Sequence, residues 1–497
     1  MEIELKLAVH PRHAARIRRH PLLCGTPPQR RLLLSVYFDT PGFDLMRRSI
    51  ALRLRRVNDQ WIQTLKAETQ SVGALTCRPE WEAVVADGDH PDFSLLSLEA
   101  LDLLAGIPLK QIAPVFITEF QRITWQIGDS RAQVEVAFDS GKIAAGESSL
   151  AISEVEIELK SGTPEFLFDA AAQLLEQVPL QVEPRSKAQR GYALCGAIKS
   201  APVKAVYPVI AQNQAAGEAW QIFMQAALVQ LIANVPGFLE QAHDSEYLHQ
   251  LRVAMRSLLA GAALAKSLRQ SVPQWYQSLR ELMGALNAAR DWDVFLQQTL
   301  PAVLPSSDTT SHNHAINDAT LDLMRDAALR ARRQAQALLR ESEFTRLILD
   351  IGSSFLTPPI DMQQRDAKVW SEAVFDQCWQ KLCKRCHNFT KLNPRQRHRA
   401  RIAAKKMRYA VDAFAPIYGK QVDSFMATLS VLQGELGYAN DLIAGQQLLH
   451  QLPKRSAEFG FALGRICGVL EGRAGEQNSL FRDSWKPVAQ SKLFWRA

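Results

Sequence analysis

The stretch Met1-Glu2-Ile3-Glu4-Leu5-Lys6 decides how the N-terminal half of this 497-residue chain folds. Apolar and charged side chains alternate in it, so a β-strand here places both glutamates and the lysine on one face. Residues 154–160, Glu-Val-Glu-Ile-Glu-Leu-Lys, repeat the same period of two. The segments 51–56 and 78–82 are also charged at every second position. We therefore predict several strands that each present a charged face.

An ordinary strand of this kind buries its apolar face and exposes its charged face to water. For any single strand here, a solvated charged face explains the pattern equally well. Four strands with the same pattern favour charged faces that line the interior of a closed sheet, with the apolar side chains packed outward against helices. The apolar set is Ile3, Leu5, Leu7, Leu52, Leu54, Val155, Ile157 and Leu159. Such an interior suits a polyanion held by Arg and Lys, and divalent cations held by Glu.

Four motifs in order carry a resemblance to a known family. They are Glu2-x-Glu4-x-Lys6, Tyr37-Phe38-Asp39-Thr40, Arg53-x-Arg55 and Glu154-x-Glu156-x-Glu158. Together they are similar to the CYTH family, also called triphosphate tunnel metalloenzymes, over about the first 200 residues. The resemblance implies a tunnel of antiparallel strands that binds triphosphate and processes it with Mg²⁺ or Mn²⁺. It favours an inorganic triphosphatase of the bacterial type, acting on tripolyphosphate.

The expected site contains a cationic set and an acidic set. Arginine pairs with phosphate oxygens in two places at once, which fixes geometry as well as charge. Position, residue type and the family pattern assign to the phosphates Lys6, Arg53, Arg55, Lys66, Arg78 and Arg122, and the resemblance alone adds Lys187. The candidate metal ligands are Glu2, Glu4, Glu135, Asp139, Glu154, Glu156 and Glu158. The residues expected to be catalytic are Glu2, Glu4, Lys6, Glu156 and Glu158.

These carboxylates suit hard divalent ions with oxygen ligands better than they suit zinc. We expect one ion to bridge phosphate oxygens and a second to polarise the attacking water. Tripolyphosphate is inert because its charge repels nucleophiles, so cancelling that charge is most of the catalysis. Three glutamates point the same way on the late strand, and the sequence leaves open which of Glu154, Glu156 and Glu158 bind metal.

Length and composition predict a multidomain globular protein. The chain is too long for one ordinary core, and it is 47% hydrophobic and 22% charged, with a net charge of +7. Its seven cysteines show no framework spacing, which indicates reduced thiols. No apolar run approaches the ~18 residues that a membrane helix needs, so no membrane partner is expected. These features favour a cytoplasmic protein.

The second half changes character. Strand signals end near residue 207, and Ala, Leu, Gln and Arg follow at helical spacing. Residues 249–256 recur as 398–405, and residues 284–291 as 434–441, at offsets of 149 and 150 residues. Such agreement predicts a duplicated helical unit. The expected domains are 1–200, a linker at 201–214, and a helical domain at 215–490 with repeats at about 215–350 and 365–490.

Each repeat carries a histidine followed by cations at helical spacing. One stripe is His249, Arg252 and Arg256, and the other is His398, Arg401, Lys405 and Arg408; Lys406 is a further candidate for the same ligand. Facing stripes make a basic groove for an anion. This repeat resembles the CHAD domain, often found beside CYTH, which implies binding of inorganic polyphosphate. The pairs Arg290-Asp291 and Asn440-Asp441 we interpret as structural contacts at helix ends.

The sequence thus predicts an α+β protein: an N-terminal antiparallel β-barrel tunnel with flanking helices, followed by an all-α domain of two duplicated helical bundles. The expected function is a metal-dependent triphosphatase with a polyphosphate-binding domain. An adenylate cyclase or nucleoside triphosphatase, and a non-catalytic polyphosphate-binding protein, remain alternatives. Nucleic acid is a weaker candidate partner, because aromatic residues are not interleaved with the basic stripes.

Overall fold

The computed structural model describes residues 2–67, 70–72, 75–198, 200–206, 210–211, 214–241, 243–266, 272–303, 318–356, 365–453 and 457–496. The chain divides into two compact units. The first, called the sheet unit, comprises Met1–Val203, Leu228–Gly237 and Leu339–Leu356. The second, called the helical unit, comprises Lys204–Ala227, Phe238–Leu338 and Thr357–Ala497.

The sheet unit is built on one antiparallel sheet. Its strands within the described residues are β1 (Glu2–Val9), β2 (Gln29–Asp39), β3 (Ile50–Val57), β4 (Gln60–Ala67), β5 (Gln70–Val72), β6 (Leu75–Arg78), β7 (Glu80–Val85), β8 (Ala113–Gly128), β9 (Ala132–Ala145), β10 (Ser148–Gly162) and β11 (Leu180–Val182). They pair in the order β5-β6-β1-β10-β9-β8-β2-β3-β4-β7, and β11 also pairs with β1. The antiparallel sheet is confirmed. No pairing between the described residues of β5 and β7 joins the two edges, so a closed barrel is not confirmed.

Several helices of the sheet unit cover the apolar face of the sheet, as the strand pattern predicts. Those of the sheet unit are α1 (Ala14–Arg18), α2 (Pro21–Cys24), α3 (Asp44–Arg47), α4 (Leu98–Leu103), α5 (Glu165–Gln177), α6 (Lys187–Leu194) and α13 (Ser342–Ser354). Leu5 and Ile157 are fully buried in a cluster that includes residues of α5 and α13. Leu52 and Leu54 are fully buried in a second cluster that includes Ala100 of α4. Burying these side chains on one face leaves the charged side chains on the other.

Helix α13 belongs to the sheet unit although it lies far along the chain. The hydroxyl of Thr345 donates a hydrogen bond to the carbonyl oxygen of Leu180 at 2.7 Å. The side chain of Leu349 packs into the same apolar cluster as α5. The compact units therefore differ from the domains expected from the sequence, which assign residues 342–354 to the helical domain.

The helical unit contains the remaining long helices. They are α7 (Ala216–Glu240), α8 (Ser245–Lys266), α9 (Trp275–Ala285), α10 (Asn287–Val294), α11 (Leu300–Val303), α12 (Asp318–Arg340), α14 (Ala367–Cys386), α15 (Pro394–Tyr418), α16 (Asp423–His450) and α17 (Ala457–Ala489), with Leu228–Gly237 of α7 and the end of α12 assigned to the sheet unit. Helix α8 packs against α15, and α10 packs against α16. The two histidine stripes thus lie on neighbouring helices.

The two copies of the sequence repeat differ in structure. In the first copy, the second echo is divided between α9 and α10, which is followed by a π-helical turn at Phe295–Thr299. In the second copy, the equivalent residues lie within the single helix α16. A mostly helical unit is confirmed, but two separate duplicated bundles are not shown.

Helix α7 corrects one expectation. It contains an 18-residue window with a mean hydropathy of 1.6, so by length and composition it is apolar enough to cross a membrane. The prediction that no such run exists is therefore wrong. Of this window, 61% is buried inside the protein, as in a core helix.

Candidate functional site

A cavity of about 480 Å³ lies on the charged face of the sheet. Many of the predicted site residues line this cavity. They come from strands β1, β3, β4, β8 and β10 and from helix α6, and are Glu4, Lys6, Arg53, Arg55, Lys66, Arg122, Glu156, Glu158 and Lys187. The alternation of side chains along each strand explains this convergence, because every second residue points to the same face. Residues 150 positions apart in the chain therefore line one cavity.

The strand register places the acidic side chains in a row. Glu4 of β1 lies directly opposite Glu158 of β10, which lies directly opposite Glu135 of β9. Glu4 is 8% exposed, and its carboxylate lies 3.8 Å from the ammonium of Lys6. Like charges directly opposite each other destabilise a sheet. Glu4 and Glu158 both line the cavity, and carboxylate oxygens are the ligand type that a hard divalent cation prefers.

Glu135 lies at the end of this row and is not among the described residues that line the cavity. The side-chain amide of Gln126 donates a hydrogen bond to its carboxylate at 2.6 Å. Glu2 pairs with Arg78 through the backbone of β1 and β6, but the side chains of both lie outside the described part of the structure.

A second acidic cluster lies deeper. Oxygens of Asp139, Glu154 and Glu156 all lie within 4.8 Å of one another. The ammonium of Lys187 lies 2.6 Å from Asp139 Oδ2 and 2.9 Å from Glu156 Oε1, and it also contacts Glu154. The guanidinium of Arg122 donates to both carboxylate oxygens of Asp139, at 2.8 and 2.6 Å. The deep cluster thus already contains cations.

These contacts shift the ionisation of the deep cluster. Burial by itself lowers the pKa of Lys187, but the three carboxylates outweigh burial and raise that pKa. Burial by itself raises the pKa of Glu156, but Lys187, Arg122 and Lys6 hold it well below its usual range. The same balance between burial and the cations Lys187 and Arg122 lowers the pKa of Asp139. Asp139, Glu156 and Lys187 are therefore all charged at neutral pH.

The wall of the cavity formed by β3 is cationic. Arg55 is buried beside Arg53 and Arg122, and burial together with these charges lowers its pKa to about 9. Its Nε donates to the hydroxyl of Ser35 at 3.0 Å. An arginine whose charge is this unfavourable is stabilised by an incoming anion. This wall therefore suits the binding of phosphate oxygens.

Three residues at or beside the site were not predicted. Glu80 of β7 lines the cavity, 3.0 Å from Lys66 Nζ and 3.7 Å from Arg53. Glu82, on the same strand, accepts a hydrogen bond from Thr64 at 3.1 Å. Arg190 of α6 contacts Glu154. The sequence did offer a signal for Arg190, because it lies three residues after Lys187 and therefore on the same face of the helix.

A second cavity, of about 770 Å³, lies within the helical unit. It is lined by the predicted residues of both stripes, namely His249, Arg252, Arg256, His398, Arg401 and Lys405, and by the unpredicted Arg395 and Arg399. Lys406 and Arg408, both exposed, are not among its described lining residues. The two stripes thus share one basic cavity.

The interpretation of Arg290-Asp291 and Asn440-Asp441 as helix-end contacts is wrong. Both pairs line the helical cavity, and both lie inside helices, α10 and α16. Burial raises the pKa values of Asp291 and Asp441, and the charges of nearby arginines partly offset this rise. The error arose because helix boundaries are poorly marked in an Ala- and Leu-rich repeat.

Contacts within the first repeat and between the two repeats order the basic side chains. The guanidinium of Arg252 donates to the carbonyl oxygen of Met283 and to Asn287 Oδ1, both at 2.7 Å. Arg256 of α8 donates to the hydroxyl of Tyr409 on α15. Burial and the charges of Arg401, Arg256 and Arg252 lower the pKa of Lys405 to about 7. The cavity therefore holds positive charges that repel one another.

Comparisons with known proteins assign both units. Residues 1–192 match the CYTH domain and residues 223–450 match the CHAD domain. The chain therefore carries a CYTH domain followed by a CHAD domain. It is 34% identical over 194 residues to the inorganic triphosphatase of Haemophilus influenzae, covering 39% of this chain and 54% of that protein. The chain thus spans about half the length of this relative.

Two solved structures match parts of the chain. The CHAD domain from the plant Ricinus communis is 26% identical, with a TM-score of 0.51, and the match covers 59% of this chain and 98% of that one. A putative adenylyl cyclase from Hippeastrum with a dominant triphosphatase activity is 16% identical, with a TM-score of 0.29, over 39% of this chain and 96% of that one.

Proposed function

We propose that this chain is a metal-dependent inorganic triphosphatase that hydrolyses tripolyphosphate to pyrophosphate and phosphate in the cavity of the sheet unit. The observation that carries the proposal is the opposition of Glu4 and Glu158 in a cavity that also contains six predicted phosphate-binding cations. The similarity of the CYTH region to a relative named as an inorganic triphosphatase supports it. We also propose that the antiparallel sheet forms a tunnel around the substrate.

The cations do most of the proposed work. Six cationic side chains line the cavity, and they hold the phosphates and neutralise their charge before reaction. They are Lys6, Arg53, Arg55, Lys66, Arg122 and Lys187. Because a phosphoryl transition state spreads charge over its oxygens, this fixed positive environment also stabilises that state.

The carboxylates would hold Mg²⁺ or Mn²⁺. Glu4 and Glu158 fit a hard divalent ion because they face each other across two strands, and Glu2 on the same strand is a further candidate. Such an ion would supply charge neutralisation at phosphate oxygens and a more acidic water. Asp139 and Glu154 fit less well, since Lys187, Arg122 and Arg190 already neutralise them.

The helical cavity is proposed to bind inorganic polyphosphate. Its arginines and Lys405 lie on both repeats, which suits a chain of phosphates that contacts α8 and α15 together. We further propose a cytoplasmic location, where the cysteines stay reduced. The described cysteines Cys24, Cys195, Cys378, Cys383, Cys386 and Cys467 are all free thiols.

Phosphate release tests the proposal. We expect the purified chain to release phosphate from tripolyphosphate with Mg²⁺ or Mn²⁺, more slowly from ATP, and not in chelator. Equal rates on ATP would favour a nucleoside triphosphatase, and cyclic nucleotide formed from ATP would favour a cyclase. No release from any of these would favour a non-catalytic polyphosphate-binding protein. Competition between polyphosphate and single-stranded DNA for the helical unit distinguishes polyphosphate from nucleic acid as its ligand.

A further inference from the structure

Glu154 lies where no substrate reaches it. Its side chain is 0% exposed, and it is not among the described residues that line the sheet cavity. It lies directly opposite Asp139 on the neighbouring strand, so two buried carboxylates face each other. Buried charges of like sign are strongly destabilising unless each has a counter-ion.

Helix α6 provides these counter-ions. Ser186 caps the helix with a capping box, in which its hydroxyl accepts from the amide of Gln189 at 3.1 Å and the Gln189 side chain accepts from the amide of Ser186 at 2.9 Å. The cap fixes the first turn, so Lys187 and Arg190 both point at β10. Lys187 and Arg190 each contact a different oxygen of Glu154. Arg190 is not among the described lining residues of the cavity.

Of the two cations on α6, only Lys187 both contacts the deep cluster and lines the cavity. Its ammonium has three N–H donors, and Asp139, Glu154 and Glu156 surround it. To bind a phosphate, the ammonium must give up at least one carboxylate. That exchange is unfavourable only if the released carboxylate is left buried without a cation.

The second cation on each carboxylate removes this obstacle. When Lys187 turns towards the cavity, Asp139 keeps the guanidinium of Arg122 at 2.6 Å. Glu154 keeps Arg190. Neither carboxylate is left unpaired, so the ammonium is exchangeable although it is 7% exposed.

We propose that Arg190 is a positioning residue, which holds the buried carboxylate of Glu154 so that Lys187 can turn to a phosphate of the substrate. Glu154 accordingly holds two cationic side chains and not a divalent ion. This inference rests on the proposed function, since it assumes that a phosphate chain enters the sheet cavity. It extends the site to a residue that touches no substrate.

Calorimetric titration of tripolyphosphate into the full chain in chelator tests the inference without metal or turnover. In Arg190→Gln, Lys187 becomes the one cation on Glu154 and is held inward, so Kd should rise about tenfold, which corresponds to about 1.4 kcal/mol. The double variant Glu154→Gln/Arg190→Gln lacks both the Glu154 carboxylate and the Arg190 guanidinium. Lys187 is then no longer held by Glu154, so the Kd for tripolyphosphate should return to within about threefold of wild type. Arg131→Gln is the control, because Arg131 is 54% exposed and pairs with Asp129 and Asp169.

Two results would overturn the inference: Arg190→Gln binding like wild type, or the double variant binding as weakly as the single one. If Arg190→Gln does not fold, as thermal unfolding would show, the double variant decides. It should keep both the tripolyphosphate Kd and the Mn²⁺ dependence of wild type, and a tenfold loss of Mn²⁺ affinity would identify Glu154 as a metal ligand. A wild-type chain that does not bind tripolyphosphate would instead refute the proposed function itself.

Discussion

Glu4 on β1 lies directly opposite Glu158 on β10, and both carboxylates line the same cavity. Two facing carboxylates repel each other across a pair of strands. The ammonium of Lys6 lies 3.8 Å from the Glu4 carboxylate, and the ammonium of Lys160 lies 2.7 Å from the Glu158 carboxylate. Each lysine thus pairs with a different glutamate. We therefore propose this facing pair as the place where a divalent ion binds.

Glu158→Gln should therefore weaken metal dependence. Removing one of the two facing carboxylates removes a ligand, so we expect the Mg²⁺ or Mn²⁺ concentration for half-maximal phosphate release to rise at least about tenfold. The measurement is a metal titration at saturating tripolyphosphate. Glu119→Gln is a matched control, since Glu119 is exposed and pairs with Lys142 at 3.6 Å. Equal metal dependence in the two variants would argue against Glu158 as a ligand.

Polyphosphate binding should depend on the residues that line the helical cavity. Arg256→Gln and Arg401→Gln each remove a cavity charge, and we expect each to weaken polyphosphate binding about tenfold. Arg408→Gln should bind like wild type, because Arg408 is exposed and its Nε lies 3.6 Å from Asp412. Binding by fluorescence anisotropy of labelled polyphosphate checks this. A loss in Arg408→Gln as large as in Arg401→Gln would show that binding follows the sequence stripe and not the cavity.

Polyphosphate binding should also weaken as pH rises. The pKa of Lys405 is lowered to about 7, first by burial and then by Arg401, Arg256 and Arg252. Below that pH the ammonium is charged and attracts phosphate, and above it the amine is neutral, so affinity should fall between about pH 6 and pH 8. The pKa of His249, lowered by burial to about 4, keeps that ring neutral throughout this range.

Lys405→Arg is the control for this pH dependence, because arginine stays charged across the range. Affinity measured at constant ionic strength should therefore change less with pH in Lys405→Arg than in wild type. An equal change in both would assign the titration to another group.

Gly191→Ala should destabilise α6 and weaken the site. A Cβ added at Gly191 would lie 2.2 Å from the ring of Phe116, so the helix must move away from the sheet. We expect a loss of about 1–3 kcal/mol in the free energy of unfolding, with weaker tripolyphosphate binding because Lys187 lies on the same helix. Gly25→Ala is the control, as nothing lies within 4 Å of its added Cβ. Urea unfolding and calorimetry give the two quantities, and unchanged values in Gly191→Ala would contradict this packing.

The strand pattern predicted the face of each charged side chain but not its depth. A period of two places Glu154, Glu156 and Glu158 on one face, and the structure does so. Depth follows from the register between β1, β9 and β10, and from the position of α6, which no local pattern specifies. For this reason the sequence did not distinguish the buried Glu154 from the cavity-lining Glu158.

The repeat in the helical region predicted the shared basic cavity but not its full lining. Offsets of 149 and 150 residues predicted a duplicated helical unit, and histidine-stripe residues of both copies do line one cavity. The sequence did not indicate that Asp291 and Asp441 line the cavity, because the pairs that contain them were interpreted as helix-end contacts. Lys406 and Arg408 were included because a run of cations does not by itself show which side of a helix faces inward.

Phosphate release from tripolyphosphate by wild type and Glu4→Gln, with Mn²⁺ and with chelator, is the most direct test of the sheet cavity as a metal-dependent triphosphatase site. We predict metal-dependent release by wild type, and a loss of at least about a hundredfold in Glu4→Gln, with its thermal unfolding unchanged. Release that persists in chelator, or that Glu4→Gln does not reduce, would contradict the proposed site.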